Sequence, residues 1–428
     1  MASRSGQFIV HVLVTIAVIG LALAIFSLFG GHEIAIGNLI LRAQTGTSYP
    51  LTSPPPSALV AKTPSAIAEA TSIESRPKNV IVIIGDGMGV GIVSAASALL
   101  DGPGAGLAMT ETPFLGLMSN WATDNLSPDS ASTATSMATG FKTRTKAIGV
   151  LEDGRVVRNL FEAARERGLA TGVVTTSALA DATPAGFLAH ADSRNDYDVI
   201  LEQIIASRTD VLIGGDWSGR QKARRNDRYM ELVENVEKTG GEHGYTVIRD
   251  PEALATATTP LLALFPPRSA ERLQHGPPLA HATREALRLL SESQEGFLLL
   301  VESEVIDEAA HDNDLSRVMA GMRELDEAVA VALELSIDRG DTLVVVAADH
   351  DTGGLGLFDG DYSNGKALAR WAHDYHISNF VPVFSFGPGA RSFTGVFDNT
   401  AFGPKIAHLL GLESLPQLAP KVADSSTN

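Results

Sequence analysis

Scattered between Asp86 and His376 are carboxylates, imidazoles, a serine and an arginine that could act together, and the chain contains no cysteine. Asp86 lies in Ile84-Gly85-Asp86-Gly87-Met88-Gly89, where glycines permit a sharp turn and close approach of another group to the backbone. Ser130 lies in Asp129-Ser130-Ala131-Ser132, ahead of a run of small residues ending at Thr139-Gly140. A serine at such a helix start is most often an N-cap, yet the same place offers its hydroxyl an electropositive helix end suited to an anionic substrate. Asp181-Ala182-Thr183-Pro184 and Asp192-Ser193-Arg194 read alone as turn chemistry and a surface arginine. Asp307 and His311, downstream of Glu302, are spaced i, i+4, which on a helix sets both on one face as paired metal ligands require. Asp349-His350 and His376 complete the set, with His373 an alternative to His376. Each signal is weak alone. Together they supply oxygen and imidazole donors without thiolate: the mixed set suits catalytic Zn2+, and an oxygen-only set suits Mg2+.

These residues need elements that bring them to one place. Apolar runs predict strands at Val80–Ile84, Thr171–Thr175, Val211–Ile213, Phe297–Val301, Thr342–Ala347 and Val381–Phe386. Helical patterns fall between them at Asn159–Arg167, Arg228–Lys238, Ala280–Glu292 and Ser316–Arg339. Continuous β-branched strands separated by helices predict an α/β fold with a large, mostly parallel central sheet and helices on both faces. Residues just beyond the carboxyl ends of such strands gather at one rim, where ligands bind. Asp86, Glu302, Asp349 and His350 all follow strand candidates in this way.

Composition bounds the partners. Fifty acidic against 33 basic residues give a formal net charge of −17, which argues against nucleic acid as a specific partner. It leaves anionic small molecules open, because bound divalent cations reverse the local field. Phe8–Phe29 is 22 residues without a charge, long enough as a helix to span a bilayer. The expected organisation is a membrane anchor or signal segment at 1–43, a Pro/Ser/Thr-rich tether at 44–78, a catalytic domain at 79–412 and a polar tail at 413–428.

The segments Ile84–Gly89, Pro128-Asp129-Ser130-Ala131, Asp181-Ala182-Thr183-Pro184-Ala185 and Ala348-Asp349-His350, in this order and spacing, resemble the alkaline phosphatase family. The resemblance spans roughly Asn79 to Gly389. It implies hydrolysis of phosphate monoesters with Ser130 as nucleophile, through a phosphoserine, and Arg194 as phosphate clamp. It also implies two Zn2+ and one Mg2+. Asp307, His311 and His376 would hold the first zinc, and Asp86, Asp349 and His350 the second. Asp86 would bridge to a magnesium bound by Thr183 and Glu302, with Asp181 supporting its water shell. A catalytic domain outside the cytoplasm, tethered by the N-terminal helix, is the expected location, and a homodimer is left open. Two departures stand out: Ile377-Ser378 follows His376 where Thr-Gly is common, and Glu308 replaces a usual Lys or His. The short stretch between His350 and His376 implies a reduced accessory subdomain. Two rival readings are a phosphodiesterase of the same superfamily and an inactive membrane-tethered protein that binds phosphate or metal.

Overall fold

The computed structural model describes residues 47–52, 75–103, 106–216, 226–265 and 276–418. All but Thr47 belong to one compact unit, Ser48–Asn428. The predicted membrane span and most of the predicted tether lie outside the described residues. No described helix is long and apolar enough to cross a membrane.

Apart from β1 (Thr47–Pro50), which lies outside it, the long apolar runs build one ten-stranded sheet. Its strands in chain order are β2 (Asn79–Gly85), β3 (Phe114–Ser119), β4 (Ala170–Ala178), β5 (Val211–Gly215), β6 (Thr246–Ile248), β7 (Leu261–Phe265), β8 (Phe297–Ser303) and β9 (Thr342–Ala348). After β10 (Asp351–Thr352), the hairpin β11 (Gly356–Asp361) and β12 (Lys366–Arg370), and β13 (His376–Ile377), which pairs with β10 and not with this sheet, come its last strands β14 (Val381–Phe386) and β15 (Gly395–Asp398). The spatial order is β15-β3-β14-β9-β2-β8-β4-β5-β7-β6. From β9 to β6 every neighbouring pair is parallel, whereas β14 runs antiparallel to both β3 and β9. The sheet is therefore mostly parallel, as predicted, with an antiparallel insertion that the apolar runs did not announce.

Every residue of β2, β8 and β9 is buried. A strand buried throughout is covered on both faces, which is why these segments read as unbroken apolar runs instead of alternating ones. Val80 to Ile84 have no exposed surface, so truncating Ile83 to alanine would cost about 2–5 kcal/mol by leaving a cavity. The predicted helix ends hold where the caps are local. Asn159 closes a capping box with Glu162 ahead of Leu160–Glu166. Asp314 caps the helix Leu315–Arg339, which stops at the left-handed Gly340.

Three expectations need correction. Arg228–Lys238 is not one helix but two, Asp227–Glu234 and Val236–Glu242, broken at Asn235. Part of the expected tether is strand β1, which borders the β12-β11 hairpin, and the Leu51 N–H donates to Gly365 O (2.9 Å). The start of the expected polar tail is also tied down. Arg158, nearly buried, donates to Glu413 (2.6 Å) and Gln417 (3.0 Å), and Leu415 is packed into the core. A buried guanidinium needs anionic partners, and the tail supplies one.

Candidate active site

The parallel register explains why distant residues meet. Gly85 at the end of β2 pairs with Ala348 on one side and Ser303 on the other, so Asp86, Asp349 and Glu302 come to one rim. Thr175 of β4 lies beside Glu302 across the next ladder and donates to it. Gly87, at φ +69°, turns the chain after Asp86; a Cβ there would lie 2.8 Å from Asp307 Oδ1. Only glycine takes that conformation at low cost and leaves the space open.

Two triads form at this rim. In the first, His311 Nε2 lies 3.1 Å from His376 Nε2 and 3.3 Å from Asp307 Oδ2, and His376 Nε2 lies 3.7 Å from Asp307 Oδ1. Both imidazoles turn Nε2 inward because their Nδ1 atoms are held by backbone carbonyls, Asp374 O for His311 (2.8 Å) and Pro128 O for His376 (2.6 Å). Such outer contacts fix the orientation of metal-binding histidines. In the second triad, His350 Nε2 lies 3.3 Å from both Asp86 Oδ1 and Asp349 Oδ2. Within each triad the donor atoms lie within 4.8 Å of one another, close enough to share a cation. Thr352 links the triads: its hydroxyl donates to Asp307 and sits 3.2 Å from His350 Nδ1. His373 does not join; it is exposed and pairs with Asp374 (3.0 Å).

Ser130 is not the N-cap. Asp129 takes that role, accepting from Ser132 N–H (3.1 Å), and Ser130 becomes the first residue of the buried helix Ser130–Thr139. Its hydroxyl is thereby released from capping and lies 3.2 Å from His350 Nε2. Small residues let this helix pack closely: a Cβ on Gly186 of the helix Ala182–Leu188 would sit 2.6 Å from Ala134 Cβ. Thr133, one turn on, donates to Asp349 Oδ2 (3.1 Å). Arg194 reaches the same helix start, donating to Asp129 Oδ2 (3.3 Å) and Asp181 Oδ1 (3.0 Å).

Asp181 lies outside both triads. Its oxygens also accept from Ala182 N–H and the Ser177 hydroxyl, and it caps the helix that carries Thr183. Thr183 Oγ1 and Asp86 Oδ1 are buried and take no hydrogen bond. Unsatisfied buried oxygens beside clustered carboxylates fit divalent cations, which would supply the missing partners.

The family model described as Alkaline phosphatase matches residues 77–364. The chain belongs to the alkaline phosphatase family. It is 36% identical to alkaline phosphatase 3 of Bacillus subtilis (strain 168) over 77% of this chain and 88% of that one. It is 31% identical to streptomycin-6-phosphate phosphatase of Streptomyces griseus, over 83% and 96% of the two chains. The structure of the alkaline phosphatase from the Antarctic bacterium TAB5 superposes with a TM-score of 0.68 at 27% identity, covering 80% of this chain and 100% of that one. A phosphatase enzyme with a metal-dependent family's fold is what these likenesses establish.

The electrostatics of this phosphatase site follow from crowding of acids. Burial, then the charges of Asp349 and Asp307, hold the Asp86 carboxyl well above its ordinary range. Burial and then Asp181 push Glu302 up to about 8; burial and then Asp307 push Asp349 up to about 6. Asp307 goes the other way: burial opposes its charge, but the His311 hydrogen bond and neighbouring imidazoles hold it well below the carboxylate range. His311 rises to about 9, burial being outweighed by Asp307. Burial draws His350 and His376 down to about 4, which keeps them neutral, the form that binds metal. Arg194 stays charged because Asp181 and Asp129 outweigh its burial.

These shifts set a stability slope for the metal-free protein. Glu302 and His311 have folded-state pKa values above their ordinary 4.5 and 6.5, so the native state holds protons the unfolded chain has lost. Stability therefore falls as pH rises toward about 9. Between about 4 and 6.5, the depressed His350 and His376 contribute the opposite slope, against that of the raised Asp86, Asp349 and Glu302. With chelator present, Tm is expected to drop by about 3–6 °C from pH 6.5 to 9, and Glu302→Gln should flatten the drop. Calorimetry across that window checks it; a Tm that holds steady or rises counts against the acid-crowded site.

Several contributors had no place in the sequence reading: Asp129, Thr133, Thr175, Ser177 and Thr352. Asp129 alone carried a local signal, as the first residue of a capping pattern. Thr133, Thr175 and Thr352 act on residues distant in sequence, and Ser177 on Asp181 four residues on.

Proposed function

We propose that the chain hydrolyses phosphate monoesters to an alcohol and inorganic phosphate through a phosphoserine at Ser130, with two Zn2+ and one Mg2+ bound. The observation that carries the reading is the Ser130 hydroxyl, freed from capping and 3.2 Å from His350 Nε2 at a carboxylate–imidazole triad. Asp307, His311 and His376 would hold one zinc and Asp86, Asp349 and His350 the other. Asp86, Thr183 and Glu302 would hold magnesium, with Asp181 supporting its water. The bound cations supply Lewis acidity, favouring the ionised hydroxyl and offsetting charge on the phosphoryl oxygens.

The protein's own groups do the rest. Ser130 attacks phosphorus as the ester oxygen departs with its alcohol; water then attacks the phosphoserine, releasing phosphate and restoring the hydroxyl. The positive end of helix Ser130–Thr139 favours negative charge at that spot. Arg194 carries five N–H donors, of which Asp181 and Asp129 take two, holding the guanidinium in place to grip phosphoryl oxygens. Monoester turnover is expected to exceed diester turnover by at least about 10²-fold in kcat/KM, about 3 kcal/mol of transition-state preference. Assays on phenyl phosphate and bis-phenyl phosphate decide, and faster diester cleavage would favour a phosphodiesterase.

A further inference from the structure

We propose that Tyr375 and Leu126 form an apolar wall beside the first triad that selects phosphate monoesters whose leaving group is an aromatic ring. The inference rests on monoester hydrolysis at Ser130 and deepens it by naming a substrate class. The nucleophile lies against His350 of the second triad. In-line displacement puts the leaving oxygen on the far side of phosphorus, toward Asp307, His311 and His376.

That side carries an aromatic ring. Tyr375, 58% exposed, stacks on His376 with centroids 4.9 Å apart and planes at 24°, and meets His311 edge-on at 5.4 Å and 61°. Its position is held on both sides: Tyr375 O accepts from Gly353 N–H (2.9 Å), and the neighbouring Asp374 O is bound to His311 Nδ1. Leu126, 76% exposed, belongs to the segment whose following residues hold the same histidine. The next residue, Ser127, donates its hydroxyl to His376 O (2.6 Å), and Pro128 O holds His376 Nδ1. Single exposed apolar residues are ordinary on a protein surface. Tyr375, stacked on one imidazole at the mouth of an otherwise acidic site, with Leu126 next to the residue that holds that histidine's backbone, is positioned to cover a ring attached to the leaving oxygen. Offset stacking on tyrosine and contact with leucine favour a planar aromatic group over a hydrated polyol.

Phenyl phosphate and glycerol phosphate distinguish the cases, each substrate being compared with itself across variants because their leaving groups differ in basicity. Tyr375→Ala is expected to lower kcat/KM for phenyl phosphate by about 5–10-fold, Leu126→Ala by about 3-fold, and Tyr375→Phe by less than about 2-fold. Glycerol phosphate should fall by less than about 2-fold in all three, with metal content per chain unchanged. Equal losses on both substrates, or loss of metal, would mean that Tyr375 acts only by holding His376, and would overturn the wall. Unchanged phenyl phosphate kinetics in both alanine variants would overturn it too. A wild-type protein inert toward both esters would instead remove the monoesterase reading beneath it.

Discussion

After a low-pH quench with labelled phosphate, wild-type protein is expected to retain one phosphoryl group per chain and Ser130→Ala none. Turnover of the variant should fall by about 10³-fold or more, since the covalent route is lost and only direct attack by water remains. The substitution is a clean one. Asp129, not Ser130, caps the helix, so removing the hydroxyl leaves the N-terminal backbone donors satisfied. The hydroxyl's own partner is His350 Nε2 at 3.2 Å, and the fold should survive its loss with little change in Tm. Full labelling of the alanine variant would move the nucleophile elsewhere.

The second large effect concerns His376. His376→Ala should lose one metal ion per chain and lower turnover by about 10²–10⁴-fold, corresponding to several kcal/mol of lost charge stabilisation. The triad offers three candidate donor residues, which leaves little redundancy for a bound ion. His373→Ala should keep both metal and activity, because His373 is exposed and paired with Asp374. Chelation should abolish activity in the unmodified protein, and Zn2+ with Mg2+ should restore more than either alone. Metal analysis beside kinetics separates these outcomes; retention of full metal by His376→Ala with loss in His373→Ala would shift the ligand by three positions.

Sequence by itself determined the strands β2, β8 and β9, because their burial on both faces demands unbroken apolar runs. It determined helix ends where an Asn or Asp caps locally, as at Asn159 and Asp314. It also put Asp307 and His311 on one helical face, since spacing of four residues is a property of the helix alone. Tertiary structure alone decided the rest. The antiparallel β14 lies between β3 and β9 although some 260 residues separate it from β3, and no local pattern encodes such a pairing. His376 prevails over His373 through Pro128 O, 248 residues away in sequence, which turns its Nε2 inward. The Ser130 hydroxyl is left out of capping because Asp129 accepts both the Ser132 N–H in its own turn and the Lys146 N–H from beyond the helix. Periodicity and capping are short-range and leave a trace in the chain, whereas ligand selection depends on atoms that meet only once the sheet has aligned its carboxyl ends.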